Sequence, residues 1–135
     1  MNKHQKIAVI IWTIDLEGHK RYLLRHNKPF NGYADEWTIT FGDIENDENP
    51  ETVATREVNE EFGIKTLEEV IDLNYKIEFT DKYGQTNAHF FAIKVKDMNI
   101  PIQLNEESIG YDWMLIDKVK EAMKHEDEKQ VFDLI

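Results

Sequence analysis

Residues 7–14, IAVIIWTI, form a nearly unbroken apolar run rich in β-branched side chains. Such a run predicts a strand buried on both faces. Asp15-Leu16-Glu17-Gly18 follows as a turn and hands on to a second strand over 20–25, so the pair reads as a hairpin. Residues 27–35, with Pro29, Asn31 and Gly32, read as a loop. Trp37-Thr38-Ile39-Thr40-Phe41 alternates and predicts a short strand that leads into Gly42. Further on, 75–80 and 88–95 read as two strands joined by a hairpin-like connection over 81–85, while 67–73 is ambiguous. Residues 97–105 read as a loop and 111–115 as a short strand. A helix over 117–123 takes Asp117 as its N-cap, and 128–135 reads as an amphipathic helix with Val131, Leu134 and Ile135 on one side.

The most informative helix lies in the middle. Asn49 suits an N-cap and Pro50 a first helical position, and Gly63 just past Phe62 suits the stop. Ala54, Val58 and Phe62 recur every four residues as an apolar stripe, and Glu57, Glu60 and Glu61 project together away from it. Glu57 and Glu61, four apart, are expected to be the closest pair. Carboxylates crowded on one face repel, and a hard divalent cation, Mg2+ or Mn2+, would relieve that repulsion. Taken alone, an acidic helix face is more often simply solvated.

Composition narrows the class. The chain has 135 residues, 41% hydrophobic and 32% charged, which predicts one globular α+β domain over 1–135 with a real core. A formal net charge of -11 argues against a nucleic-acid partner, because phosphate binding needs cations to exchange for counterions. There is no cysteine, so neither disulfides nor thiolate chemistry is available. The basic start, Lys3 to Lys6, precedes an apolar run, but Asp15 and Glu17 follow it directly with no cleavage site of small residues. The run is also too short for a bilayer, so neither a signal peptide nor a membrane span is expected and the expected location is cytoplasmic.

The acidic helix belongs to a longer pattern. Gly42, Glu48, Arg56, Glu57, Val58, Glu60, Glu61, Gly63 and Ile64 fit G-x5-E-x7-R-E-U-x-E-E-x-G-U without a gap, where U is aliphatic. That is the Nudix box, and the chain resembles a MutT-like Nudix hydrolase. The resemblance implies an α/β/α sandwich around a mixed sheet, consistent with the order of predicted elements. A weaker echo lies at 107–113, ESIGYDW, similar to the E-H-x-x-Y-x-W stretch of several subfamilies with Ser108 in place of histidine.

The resemblance also implies a reaction, the Mg2+-dependent hydrolysis of a nucleoside diphosphate linked to another moiety. Glu57, Glu60 and Glu61 would hold the metal, with the Gly42 carbonyl as backbone ligand. Arg56 would orient a box carboxylate through its fork, and Glu48 is expected to brace the loop. The general base stays open between Glu60, Glu61 and Glu107. Substrate contacts are sought at Arg25, Trp37 and Tyr83, with Tyr111 a further aromatic, though each also suits ordinary packing or a strand-end cation. His89, flanked by apolar residues, reads as a satisfied core histidine. Where many members have Trp-x-x-Pro-Gly-Gly, this chain has Thr40 for the proline and Phe41 for the middle glycine. That departure bears on the substrate more than on the metal. Nucleoside triphosphates and dinucleoside polyphosphates are favoured as substrates, and a non-catalytic nucleotide-sensing domain is the alternative. Family members often form homodimers, but no stretch here marks an interface.

Overall fold

The computed structural model describes residues 4–27, 36–81 and 84–135. Its strands are β1 (His4–Ile14), β2 (Lys20–Asn27), β3 (Trp37–Thr38), β4 (Thr40–Asp43), β5 (Glu69–Asp81), β6 (Gly84–Lys94) and β7 (Ser108–Met114). The helices are α1 (Pro50–Phe62), α2 (Ile116–Ala122) and α3 (Glu126–Val131), the last running into a 3-10 turn, Phe132–Leu134.

Seven strands form one mixed sheet whose main path runs β3-β2-β1-β6-β5. β1 lies at its centre, parallel to β6 from His4↔Thr86 to Trp12↔Lys94. Its other edge is shared: residues 11–14 pair with β2 and residues 6–9 with β4. β2 in turn pairs with β7 along one edge and with β1, then β3, along the other. β1 and β2 therefore splay apart, and the short β3–β4 segment fills the wedge between them. That wedge delivers Gly42 to the edge of the sheet, opposite Ile7.

The continuous apolar run of β1 feeds two cores. Ile7, Val9 and Ile11 face α1, joining Val53, Ala54, Val58 and Phe62. Ala8 and Ile10 face the other way, joining Val119, Met123, Val131 and Phe132 from α2, α3 and the turn after it. A strand alternates faces at every residue, so only a strand covered on both sides can be apolar throughout. The result is the expected α+β class, with helices on both faces of a mixed sheet. No helix among the described residues is long and apolar enough to cross a membrane.

Several boundaries differ from expectation. The ambiguous stretch before Tyr75 is the first part of β5, because Glu69 to Asp72 pair with Phe91 to Lys94 of β6. The register shifts between Asp72 and Lys76, where Asn74 adopts a φ of 53°. The predicted strand over 37–41 is two short strands interrupted at Ile39. α2 begins at Ile116 with Leu115 at the N-cap, so Asp117 lies in the first turn, where its charge still suits the helix dipole. The last helix starts at Glu126, and Val131 and Phe132 are its buried contacts while Leu134 is 52% exposed. Most of the predicted loop over 27–35 lies outside the described residues.

Candidate active site

α1 is fixed at both ends by local chemistry. The Asn49 side chain accepts hydrogen bonds from the backbone N–H of Glu51 (2.9 Å) and Thr52 (3.3 Å), and Pro50 opens the helix. Gly63 closes it in the left-handed region with φ of 67°. Between these ends, successive residues rotate by roughly 100° around the axis. Glu61 then lies about 60° from Val58 at the edge of the buried stripe, Glu57 about 100° away and Glu60 about 160° away. Burial follows that sequence. Glu61 is 3% exposed and buried, Glu57 is half-buried and Glu60 is exposed.

Glu57 and Glu60 line an open cleft of about 630 Å³, together with Asp43, Glu45, Glu48 and Arg56. Gly42 forms the close wall behind Glu57. A Cβ on Gly42 would come within 2.3 Å of the Glu57 Cγ, so this approach requires glycine. Arg56 forks onto Glu48, with Nη1 to Oε2 at 2.5 Å and Nη2 to Oε1 at 3.5 Å, and lies 3.9 Å from Glu60. Glu48 also accepts the backbone N–H of Glu45 at 3.0 Å, which closes the 45–48 turn. The single cation of this cleft wall is thus already engaged.

Glu61 does not share the cleft wall with Glu57 and Glu60. Its Oε2 faces Arg25 Nε at 3.4 Å beneath the surface. The Thr40 hydroxyl lies beside the same carboxylate and favours its ionised form, though without hydrogen-bond geometry. Burial pushes the Glu61 carboxyl up to about 7, against the pull of Arg25 and Thr40, and the charges of Glu107 and Glu57 add to the rise. Burial likewise pushes Glu57 up to about 7, helped by the charges of Glu60, Glu107 and Asp43 and opposed by Arg56. Arg56 and the backbone N–H of Glu45 hold Glu48 below the usual carboxylate range. Glu107, exposed on the loop before β7, is therefore near enough to act on both raised carboxyls.

The substrate candidates fall elsewhere. Arg25 is 8% exposed, buried under the cleft. Trp37 packs with the second core, across the sheet from α1, and stacks on His26 at 4.8 Å and 16°. Phe41 packs against the same core. Tyr111 is 44% exposed on β7, and Tyr83 lies outside the described residues. His89 bonds Asp72 at 2.6 Å and stacks on Phe91, so it is satisfied as expected, but it is half-buried and belongs to neither core. Asp43, which lines the cleft, and Thr40, beside Glu61, belong to the candidate site although spacing did not single them out; their signal was adjacency to Gly42 and occupation of the usual proline position.

The donor set suits a hard divalent cation. The cleft offers carboxylates from Glu57, Glu60 and Asp43, and the Gly42 backbone stands against Glu57 where no Cβ intervenes. Among the described residues no three carboxylate or imidazole side chains already meet at one point. An open set of oxygens around a cleft is what Mg2+ prefers, since it keeps several waters and takes one or two carboxylates plus substrate phosphates.

Comparison with known proteins agrees with this architecture. A bis(5'-nucleosyl)-tetraphosphatase [asymmetrical] of Rattus norvegicus is 29% identical over 99 residues, covering 69% of this chain and 65% of the relative. The match thus spans somewhat less than two thirds of that protein's length. The structure of a C. elegans Ap4A hydrolase binary complex superposes with a TM-score of 0.79 at 17% identity, covering 97% of this chain and 93% of the other. That of the E. coli dihydroneopterin triphosphate pyrophosphohydrolase gives a TM-score of 0.79 at 21% identity, covering 96% and 92%. Residues 4–135 match the NUDIX domain, and a chain that carries the box on this helix, in this fold, belongs to the NUDIX family.

Proposed function

We propose that this protein is a Mg2+-dependent pyrophosphohydrolase that cleaves a nucleoside diphosphate linked to another moiety, with dinucleoside polyphosphates or nucleoside triphosphates as substrates. The observation that carries the reading is the cleft wall where Glu57 closes on the bare backbone of Gly42, with Glu60 and Asp43 alongside. Likeness to a tetraphosphatase and to the fold of an Ap4A hydrolase supports the choice of substrate class. Mn2+ would serve the same oxygens.

Gly42, Glu57 and Glu60 would hold the ion, with Glu61 behind them. A divalent ion there would supply charge neutralisation of the diphosphate and a lower pKa for water. The chain's own residues do the rest. Arg56, locked onto Glu48, keeps the 45–48 turn against α1 and so fixes the floor of the cleft. Glu61, buried and held by Arg25, acts on orientation and not by collecting protons from solvent. Of the three candidate bases Glu60, Glu61 and Glu107, only Glu60 and Glu107 are exposed, so the base that takes the proton of the attacking water is one of these two.

Chromatographic separation of the nucleotide products formed with Mg2+ from ATP, GTP, diadenosine tetraphosphate and ADP-ribose tests the proposal. Turnover of a dinucleoside polyphosphate or a triphosphate is expected, with kcat falling about 100-fold or more in Glu60→Gln or Glu107→Gln, whichever is the base. Nucleotide binding with no turnover of any panel member would instead make this a sensing domain.

A further inference from the structure

Arg25 and Glu61 are the two charged residues buried as a whole among the described residues, and they face each other. Arg25 Nε stands 3.4 Å from Glu61 Oε2, yet neither atom has hydrogen-bond geometry. The rest of the guanidinium points along the sheet, where Nη1 donates to Asn27 Oδ1 at 3.1 Å and to Ser108 Oγ at 3.2 Å. Ser108 opens β7 directly after Glu107, and β7 is registered on β2 through Arg25↔Tyr111 and Asn27↔Ser108. One planar cation therefore touches the box helix through Glu61 and the start of β7 through Ser108.

We propose that Arg25 is a positioning residue that, with Ser108, holds the buried Glu61 and the Glu107 loop in one fixed relation, and that it does not contact substrate phosphate. The inference rests on the hydrolase reading above. An 8% exposed guanidinium cannot meet a phosphate without abandoning Glu61, which would then be a buried, unpaired carboxylate. Only a fork can span two partners in different directions; lysine, a point charge on a flexible stem, would reach one. The short Ser108 side chain accepts directly from the guanidinium Nη1 at 3.2 Å. Glu107 lies next to that anchor, so a loosened Ser108 would move the one loop carboxylate whose charge reaches both Glu57 and Glu61.

The test uses the full chain as wild type, Arg25→Lys, Ser108→Ala and the double variant. kcat and KM are measured on the best nucleotide of the panel, Mn2+ affinity of nucleotide-free protein by electron paramagnetic resonance, and folding by circular dichroism. Arg25→Lys keeps the charge and is expected to lower kcat by about 10- to 100-fold while KM moves less than about threefold. Mn2+ affinity is expected to fall in the same variant. Ser108→Ala is expected to lower kcat by several-fold in the wild-type background and to add little on top of Arg25→Lys, as groups acting through one contact do. A KM rise with kcat preserved would make Arg25 a phosphate contact and overturn the proposal, as would unchanged kcat and Mn2+ affinity in both single variants. If Arg25→Lys does not fold, Ser108→Ala decides through its kcat. A wild type that turns over nothing defeats the hydrolase reading alone; the Mn2+ arm then decides, and equal affinity in wild type and Arg25→Lys overturns the positioning role.

Discussion

Gly42 and Glu57 occupy the same space as closely as two residues can: a methyl on the first would lie 2.3 Å from the Cγ of the second and 2.7 Å from its Cδ. The glycine is required by this approach and not by its backbone angles. Gly42→Ala must push Glu57 off its position, because the clash is with the middle of the side chain and not its mobile tip. Overpacking of this kind costs about 1–3 kcal/mol of stability. The expected loss in kcat/KM is larger, about 100-fold, as for a catalytic group moved by about 1 Å. Steady-state kinetics beside urea unfolding measures both; wild-type kcat/KM in a folded Gly42→Ala would remove Gly42 from the site.

The raised carboxyls make stability depend on pH in a defined direction. Glu57 and Glu61 bind a proton more tightly folded, at about 7, than unfolded, near 4.5. Their stabilising contribution is therefore present below about 4.5 and is lost as pH rises through about 7. Glu128, pushed up to about 7 by burial, shares this window, whereas the lowered Asp15, Glu48 and Asp72 act at more acid pH. In metal-free protein, Glu57→Gln should be more stable than wild type at pH 8 by about 1 kcal/mol, after discounting for its half-exposed position. Near pH 4.5 the two proteins should unfold alike. Urea melts in EDTA at both pH values check this, and an identical gap at each would contradict it.

Asn49 carries the start of α1 through its two backbone hydrogen bonds. Asn49→Ala should cost about 1 kcal/mol and Asn49→Asp almost nothing. Because the cap lies outside the cleft, kcat at a temperature where both proteins are folded should hardly change. Thermal melts and a kinetic assay at 20 °C (about 293 K, where a loss of this size leaves most domains folded) separate the two effects.

The Arg56–Glu48 fork is exposed, so it contributes little to stability. Its value lies in fixing two oxygens at once. Arg56→Lys should leave the melting curve nearly unchanged yet reduce kcat/KM by roughly tenfold, since an ammonium cannot hold a carboxylate by both oxygens. A variant as active as wild type would show that the fork is decoration on the helix surface.

Much of the fold follows from rules that act over a few residues. The continuous apolar run of β1 implied a strand covered on both faces, and its odd and even residues do enter separate cores. Asn49, Pro50 and Gly63 marked both ends of α1 because capping and left-handed closure are settled within one turn. Where long-range pairing decides, local patterns mislead. Glu69 to Asp72 are polar enough to look irregular, but β6 supplies backbone partners and makes them strand. Trp37 suited either a base-stacking surface or ordinary packing on sequence alone, and the pleat of β3 packs it against the second core, away from α1.

The sequence by itself determined where the candidate chemistry lies: nine box positions in register, an acidic helix with defined ends, and a glycine ahead of it. Only the tertiary structure decided how those equal-looking glutamates differ. A helix sets their angles, but the sheet beneath sets which angle is buried, and so Glu61 lies under the surface while Glu60 meets solvent. Arg25 is 36 residues from Glu61 in the chain and 3.4 Å from it in space, a contact that no local pattern encodes because it exists only once β2 has joined the sheet under α1.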